Sequence, residues 1–557
     1  MINNIEDNEK LADLLFPNTE RAPEYYELLY PKRNLPEGAK VTRFAPSPTG
    51  FVHMGSLYAS LVSERLAHQS NGVFFLRVED TDKKREVEGG VGNIVRALSS
   101  FGINFDEGVT DVDDEKGGYG PYKQSERMGL YKVFAKQLVE RGLAYPCFCT
   151  EEELGSIRAH QEENKLNIGY YGEFAVHRSF TLEQVKEELS KGKPFVLRVK
   201  APQKPDSRFV FKDLVKGEVE MPENDTDMVL VKSDGLPTYH FAHVVDDHLM
   251  RTTHVIRGDE WLPSAPLHVQ LFEMFEWEKP EFAHISPVMK IEGSSKRKLS
   301  KRKDPEADVS FYHEQGYPDA SVIDYLVNLI NSNFEDWRRE NPTEPNTNFK
   351  IELERMSVSG AMFDIVKLTD MSKDIIALMS AEEVYNSCLK WAQEYDPELA
   401  GLLSRDEKYA KSIFSIDRNC EKPRKDYAKW LDVKSFIFYF FDELFDRDAA
   451  AGYNFPEGMS MEEAERLISE YAKIYVHTDD KDMWFARVKE FCEAMGYSKD
   501  VKTFKKNPGV YKGHVGDVTG AIRVAVTNRR NTPDLYEIMQ VIGKEKVLER
   551  FEKVKVI

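Results

Sequence analysis

The stretch that most narrows the fold of this chain runs from Val41 to Asp80: "VTRFAPSPTGFVHMGSLYASLVSERLAHQSNGVFFLRVED". "VTRFA" reads as a short buried strand. A Pro/Gly loop follows, and then Leu57, Leu61 and Leu66 recur at helical spacing until Asn71-Gly72 stops the helix. "VFFLRVED" is a second strand, so the segment is a βαβ unit, the building block of a parallel sheet. Pro46 and Pro48 stiffen the connecting loop, while Gly50 and Gly55 let its backbone approach a ligand closely. The helix begins near His53, so its free N–H groups and positive dipole end face the loop, which suits a phosphate. Taken alone, the loop reads more readily as a rigid turn with an incidental histidine.

With 557 residues the chain exceeds a single core, and several domains are expected. Residues 1–40 form a preface with two apolar clusters, "LADLLF" and "YYELLY", expected to pack on the body as a helical arm. The βαβ texture spans 41–116. Between 117 and 232 helical stretches mix with short strands, as in an α/β insertion. From 233 to 350 apolar strands return, including "MVLVKSDGLPTYHFAHVVDDHLM" and "THVIRGDEW", as though the first sheet resumes. Residues 351–557 read as almost entirely helical, in two subdomains with a break near 425–450. The expected class is therefore α/β: a parallel-sheet domain split by an α/β insertion, then an all-α region.

Charge restricts the partners. The chain carries 76 basic and 95 acidic residues, a formal net charge of −19, so any phosphate polymer must be held by local basic patches. No stretch approaches the roughly 18 apolar residues of a membrane span, and the acidic, polar N-terminus is not a targeting signal. Five scattered cysteines argue for reduced thiols. A cytoplasmic monomer without membrane association is expected.

A second feature is "SSKRKLSKRK", Ser294 to Lys303, with six cationic residues between Lys296 and Lys303. It reads as a mobile loop. Lys298 and Lys301, three apart, can converge on one phosphate chain and follow charge moving onto a leaving pyrophosphate. Such runs in isolation are more often solvated surface.

Together the two features are far more specific. "PSPTGFVHMGS" and, about 240 residues on, "KLSKR" resemble the paired His-Ile-Gly-His and Lys-Met-Ser-Lys-Ser motifs of class I aminoacyl-tRNA synthetases. Met54, Ser56, Leu299 and Arg302 are the departures. "RFAPSPTG", "LRVEDTD", "GPYKQSER", "THVIRGDEW" and "FAHI" narrow the resemblance to bacterial-type glutamyl-tRNA synthetases, since the related branches usually carry Pro-Glu-Pro at Pro46-Ser47-Pro48.

The resemblance implies a Rossmann-type catalytic domain (41–116 and 233–350), an inserted domain for the tRNA acceptor end (117–232) and an anticodon-binding helical region. It implies ligation of L-glutamate to tRNA(Glu) through a glutamyl-adenylate, with ATP and Mg²⁺. The α-carboxylate is itself the nucleophile, so positioning and charge stabilisation dominate and no activating base is needed. His53, Gly55, Ser56, Lys298 and Lys301 would hold the triphosphate, His53 and the two lysines acting in catalysis, with Trp261 and Val288 beside the adenine. Arg43, Ala45, Ser47, Glu79, Tyr239, His243 and Arg257 would take glutamate. Glu79 can pair the ammonium, and Arg43 and Arg257 the side-chain carboxylate, rejecting glutamine. Asp246, Asp247 and His248 read as polar caps at a strand end rather than a metal cluster. Some relatives bind zinc near Cys147 and Cys149. Here Tyr170, Tyr171 and His177 follow, Phe174 stands where a cysteine is expected, and four good ligands are not evident, so zinc is not expected. Arg523, Arg529 and Arg530 are candidate RNA contacts. Charging of tRNA(Gln) as well, or a non-catalytic tRNA-binding paralogue, are the alternatives.

Overall fold

The structure, a computed structural model, describes residues 5–48, 52–81, 87, 89–111, 114–202, 204, 206–478, 480–507 and 509–555. Gly50, one of the two loop glycines singled out from the sequence, lies outside these residues. The chain forms two compact units. One runs to Phe311 and adds Ile323–Asp364; the other comprises Tyr312–Val322 and the chain from Ile365 onward.

The first unit opens with helices α1 (Ile5–Leu15) and α2 (Pro23–Leu29), then strand β1 (Val41–Phe44), helix α3 (Met54–His68) and strand β2 (Val73–Leu76). β1 and β2 pair in parallel, Val41 opposite Val73 and Arg43 opposite Phe75, as the sequence pattern predicts. Helix α3 is buried on nearly every side. Its serines avoid unpaired hydroxyls by bonding back one turn, Ser60 to the Ser56 carbonyl and Ser63 to the Ala59 carbonyl. After α4 (Gly90–Ser100), the sheet is completed by β3 (Glu107–Asp111), parallel to β2, and β4 (Asp114–Lys116), antiparallel to β3.

The next elements are α5 (Met128–Glu140), β5 (Ala144–Cys147), α6 (Glu151–Glu163), α7 (Leu182–Ser190), β6 (Val196–Val199), β7 (Arg208–Asp213), β8 (Gly217–Pro222) and β9 (Val229–Val231). They are followed by α8 (Tyr239–Leu249), β10 (His254–Gly258), α9 (Ala265–Phe275) and β11 (Glu281–Ile285). A three-stranded sheet has the order β5-β6-β9, and a four-stranded sheet the order β10-β11-β7-β8. β10 and β11 are parallel, and the Thr253 N–H donates to the Val41 carbonyl at 3.0 Å, setting β10 beside β1. β10 and β11 thus lie alongside the first sheet but form a sheet of their own with β7 and β8. The preface packs as a helical arm: Leu11, Leu15, Tyr26 and Tyr30 are buried with Leu130, Phe134 and Leu138 of α5.

Two readings of the sequence need correction. Residues 239–249 form a helix, α8, and not a strand. Phe241 through Asp247 are all buried, so the helix is enclosed on its apolar and polar faces alike, and its run of apolar and β-branched residues resembles a buried strand. Asp246 and Asp247 are therefore neighbours on a buried helix instead of caps on a strand. The basic run is not simply a loop: its first half is β13 (Ser295–Lys298), paired antiparallel with β12 (Met289–Glu292). Positive charge concealed the strand because both faces of this hairpin are largely exposed.

In the second unit the described elements are helical, as the sequence pattern suggests. Their core gathers Trp391, Leu399, Phe414, Phe445, Leu467 and Ile522 among others.

Candidate active site

A cavity of about 650 Å³ opens where β1, β10, α8 and the β12–β13 hairpin converge. Its wall includes Arg43, Ala45, Ser47, His53, Gly55, Ser56, Glu79, Tyr239, Arg257, Trp261, Val288, Lys298 and Lys301, which are all but one of the residues singled out for glutamate and ATP.

His53 is the N-cap of α3, in an extended conformation. Its Nδ1 accepts from the Ser56 N–H at 3.1 Å, so a neutral ring carries its proton on Nε2, a hydrogen-bond donor now 3.1 Å from Ser56 Oγ. Partial desolvation beside the cavity, then Lys298 and Lys301, lower its pKa. A Cβ at Gly55 would sit 3.1 Å from the imidazole, so glycine leaves the ring its place. The arrangement is a donor set for an anionic oxygen at a helix start.

The opposite wall is a buried charge network. Asp247 accepts from Arg77 Nη1 at 2.7 Å and Arg43 Nε at 3.4 Å. Burial would raise its pKa, but Arg77 and Arg43 hold it well below the usual range. Arg77 also donates to Glu79 at 3.1 Å. Burial nevertheless raises Glu79, with Arg77 and Arg43 opposing. Asp246 accepts from Arg127 at 2.7 Å, Gln124 at 2.8 Å and Tyr131 at 2.8 Å, with Arg77 Nε 3.8 Å away, so both adjacent carboxylates are engaged by side-chain donors. Arg257 is 6% exposed. Its Nε donates to His284 Nε2 at 2.9 Å and its Nη1 meets His268 Nδ1 at 3.0 Å. Its Nη2 is buried and makes no hydrogen bond of normal geometry among the described residues, with the Tyr239 hydroxyl beside the guanidinium, so it is a donor suited to an incoming anion. Tyr239 faces Trp261 with ring centroids 4.3 Å apart.

The basic run is partly neutralised. Asp304, 2% exposed, accepts from Arg297 at 2.5 and 2.8 Å, from Lys290 at 3.2 Å and from the Ser300 N–H at 2.9 Å. Lys301 pairs with Asp308 at 3.1 Å. Lys298, at the end of β13, faces the cavity.

His243 stands apart. It is fully buried, its Nδ1 2.8 Å from Asp247 Oδ2 and its ring stacked on Tyr239 at 5.5 Å, behind the cavity wall. In the second unit, Arg529 binds Asp448 at 2.8 Å, Arg530 bonds the Asn454 and Phe455 carbonyls, and Arg523 bonds Thr532 and the Pro533 carbonyl. All three have partners within the protein.

The structure brings Cys147, Cys149 and His177, named together from the sequence, within 4.8 Å of one another. Tyr170 Oη lies 3.4 Å from Cys149 Sγ and 3.2 Å from His177 Nδ1. The Cys149 thiol bond lowers the Cys147 pKa and raises that of Cys149. Two thiols and one imidazole are one short of the four cysteine or histidine ligands of a structural zinc site.

Sequence reasoning missed Asp213, His268 and Asp308 as partners of the site. Asp213 lies in "RFVFKDLVKGEV", distant in sequence from the residues it supports. His284 belongs to "FAHI", a segment notable in the sequence but without a role there.

Comparison with known proteins places the chain in a family. A family model described as "tRNA synthetases class I (E and Q), catalytic domain" matches residues 40–370, and one described as "Anticodon binding domain" matches 422–555. Glutamate–tRNA ligases from Clostridium perfringens (strain SM101) and Acetivibrio thermocellus are 55% and 49% identical, each over 98% of this chain and 99% and 100% of the relative. The crystal structure of a glutamate tRNA ligase from Elizabethkingia meningosepticum, in complex with its amino acid, superposes with a TM-score of 0.73 at 29% identity, covering 92% of this chain and 99% of the other. The chain belongs to the glutamate–tRNA ligase family of class I aminoacyl-tRNA synthetases.

Proposed function

We propose that this protein ligates L-glutamate to tRNA(Glu), with Mg²⁺–ATP as the nucleotide substrate, acting as a cytoplasmic monomer. The observation that carries this reading is that one cavity holds both the charged residues suited to an amino acid and the donors suited to a triphosphate. The α-carboxylate oxygen attacks the α-phosphorus of ATP. The bond to the β-phosphate oxygen breaks, pyrophosphate leaves and glutamyl-adenylate remains. A terminal adenosine hydroxyl of tRNA then attacks the activated carbonyl, releasing AMP.

In this reading His53 Nε2–H and the α3 N-terminus bind phosphate oxygens, and Lys298 and Lys301 stabilise the charge that develops on pyrophosphate. Trp261 and Val288 flank the adenine. Glu79 pairs the ammonium, and Arg43 and Arg257 receive the carboxylate of the substrate side chain. Glutamine would leave a buried guanidinium unpaired, which disfavours it. His243 acts from behind Tyr239. The insertion 117–232 receives the acceptor end and the helical region the anticodon.

A non-catalytic paralogue is disfavoured because both motifs face one cavity. Charging assays on purified tRNA(Glu) and tRNA(Gln) test the reading: glutamylation of tRNA(Glu) is expected, and glutamylation of tRNA(Gln) alone would overturn it.

A further inference from the structure

Arg257 is oriented by two imidazoles and not by a carboxylate. His284 Nε2 takes its Nε–H and His268 Nδ1 meets Nη1, and the Tyr239 hydroxyl is a further neutral polar group against the guanidinium. An adjacent carboxylate would neutralise the guanidinium; a neutral imidazole orients it and leaves its charge for a substrate anion. This works only in one tautomer. An arginine Nε–H can only donate, so His284 Nε2 must present its lone pair and the proton must sit on Nδ1. Nδ1 faces Asp213 Oδ2 at 2.6 Å.

Asp213 is itself held as an acceptor. Its Oδ1 receives the Val215 and Lys216 N–H groups at 2.9 and 2.8 Å, and its Oδ2 the His284 N–H at 3.0 Å. It ends β7, opposite Phe282 of β11, two residues before His284. Asp213 and the His284 ring are buried, with no exposed side-chain surface on either.

We infer that Asp213 and His284 are positioning residues for Arg257: the carboxylate fixes the His284 tautomer, and that tautomer holds the guanidinium in the cavity wall with its charge unspent. The inference rests on the reading of Arg257 as a contact of the substrate carboxylate. It also explains why an aspartate of the inserted segment reaches the β10–β11 strands. In Asp213→Asn an amide NH₂ facing Nδ1 would move the ring proton to Nε2, against the Arg257 Nε–H. With the amide turned the other way, its NH₂ would oppose the Val215 and Lys216 N–H groups. Protonation of His284 has the same effect as the wrong tautomer. The charged groups facing it are Asp213, Arg257 and Asp259, the last paired with Lys216 at 3.1 Å. Burial holds His284 below its ordinary pKa, so the acid limb lies beneath the usual histidine range.

The test is tRNA-supported, glutamate-dependent pyrophosphate exchange by full-length wild type, Asp213→Asn, His284→Leu, His284→Gln and Arg257→Ala, with thermal melts for each. Asp213→Asn and His284→Leu are expected to raise the KM for glutamate about tenfold or more, with the KM for ATP within about twofold. His284→Gln, whose amide oxygen can accept from Nε–H, should recover most of that loss and abolish the rise of glutamate KM in acid. If Asp213→Asn does not fold, the His284→Leu and His284→Gln pair decides. A glutamate KM near wild type in His284→Leu while Arg257→Ala raises it overturns the positioning role alone, as does an equal rise in both KM values. A near-normal glutamate KM in Arg257→Ala removes the carboxylate contact itself.

Discussion

Lys301→Ala separates a catalytic loop from a solvated basic run, because its expected effects on stability and on rate differ widely. In the structure the Lys301 side chain is 52% exposed and pairs with Asp308 at 3.1 Å. An ion pair that open is worth at most about 1 kcal/mol, so the variant should melt close to wild type. In the adenylation transition state, charge moves onto the departing pyrophosphate, and removal of one preorganised donor to such charge typically costs about 2.7–4 kcal/mol, or 10²–10³ in rate. In the proposed reading Lys301 meets the phosphates while Glu79 and Arg257 meet the amino acid, so the KM for glutamate should barely move. The assay is glutamate-dependent pyrophosphate exchange with tRNA present, read as kcat and both KM values beside a thermal melt. Lys303→Ala is the control, since Lys303 is 61% exposed and its neighbour is Glu292 at 3.6 Å. An exchange rate within about threefold of wild type in Lys301→Ala would refute the assignment.

Other outcomes bear on different parts of the account. Glu79→Gln, by removing a charge-assisted bond to the substrate ammonium, should raise the KM for glutamate about 10- to 100-fold, measured in the same exchange assay. His68 is raised to about 10 by hydrogen bonds to Asp106 and then Glu64. A raised folded-state pKa adds stability that is complete below about pH 6.5 and fades as pH climbs toward 10. Denaturant melts should therefore show the gap between wild type and His68→Gln closing over that interval; a gap that widens would contradict the assignment. Metal analysis of purified protein should find less than one zinc per chain, and a full equivalent would show that Cys147, Cys149 and His177 suffice to hold the ion.

The βαβ opening was legible because it alternates buried strands, a helix with regular leucine spacing and an Asn-Gly stop. The site was legible only through two short motifs read together, since neither His53 nor the lysine run is distinctive alone. What stayed hidden was hidden for physical reasons. Helix α8 is buried through Phe241–Asp247, and a short apolar run of that length with Val244 and Val245 at its centre resembles a buried strand. Charge obscured β13. The partners of Arg257 come from β11 and α9, with Asp213 of β7 behind His284, and no local pattern ties Asp213 to His284.

The central claim is that one cavity activates glutamate with ATP. Exchange of labelled pyrophosphate into ATP by purified protein with cognate tRNA measures this directly. Exchange should depend on glutamate and be absent with glutamine; exchange supported by glutamine alone would contradict the account.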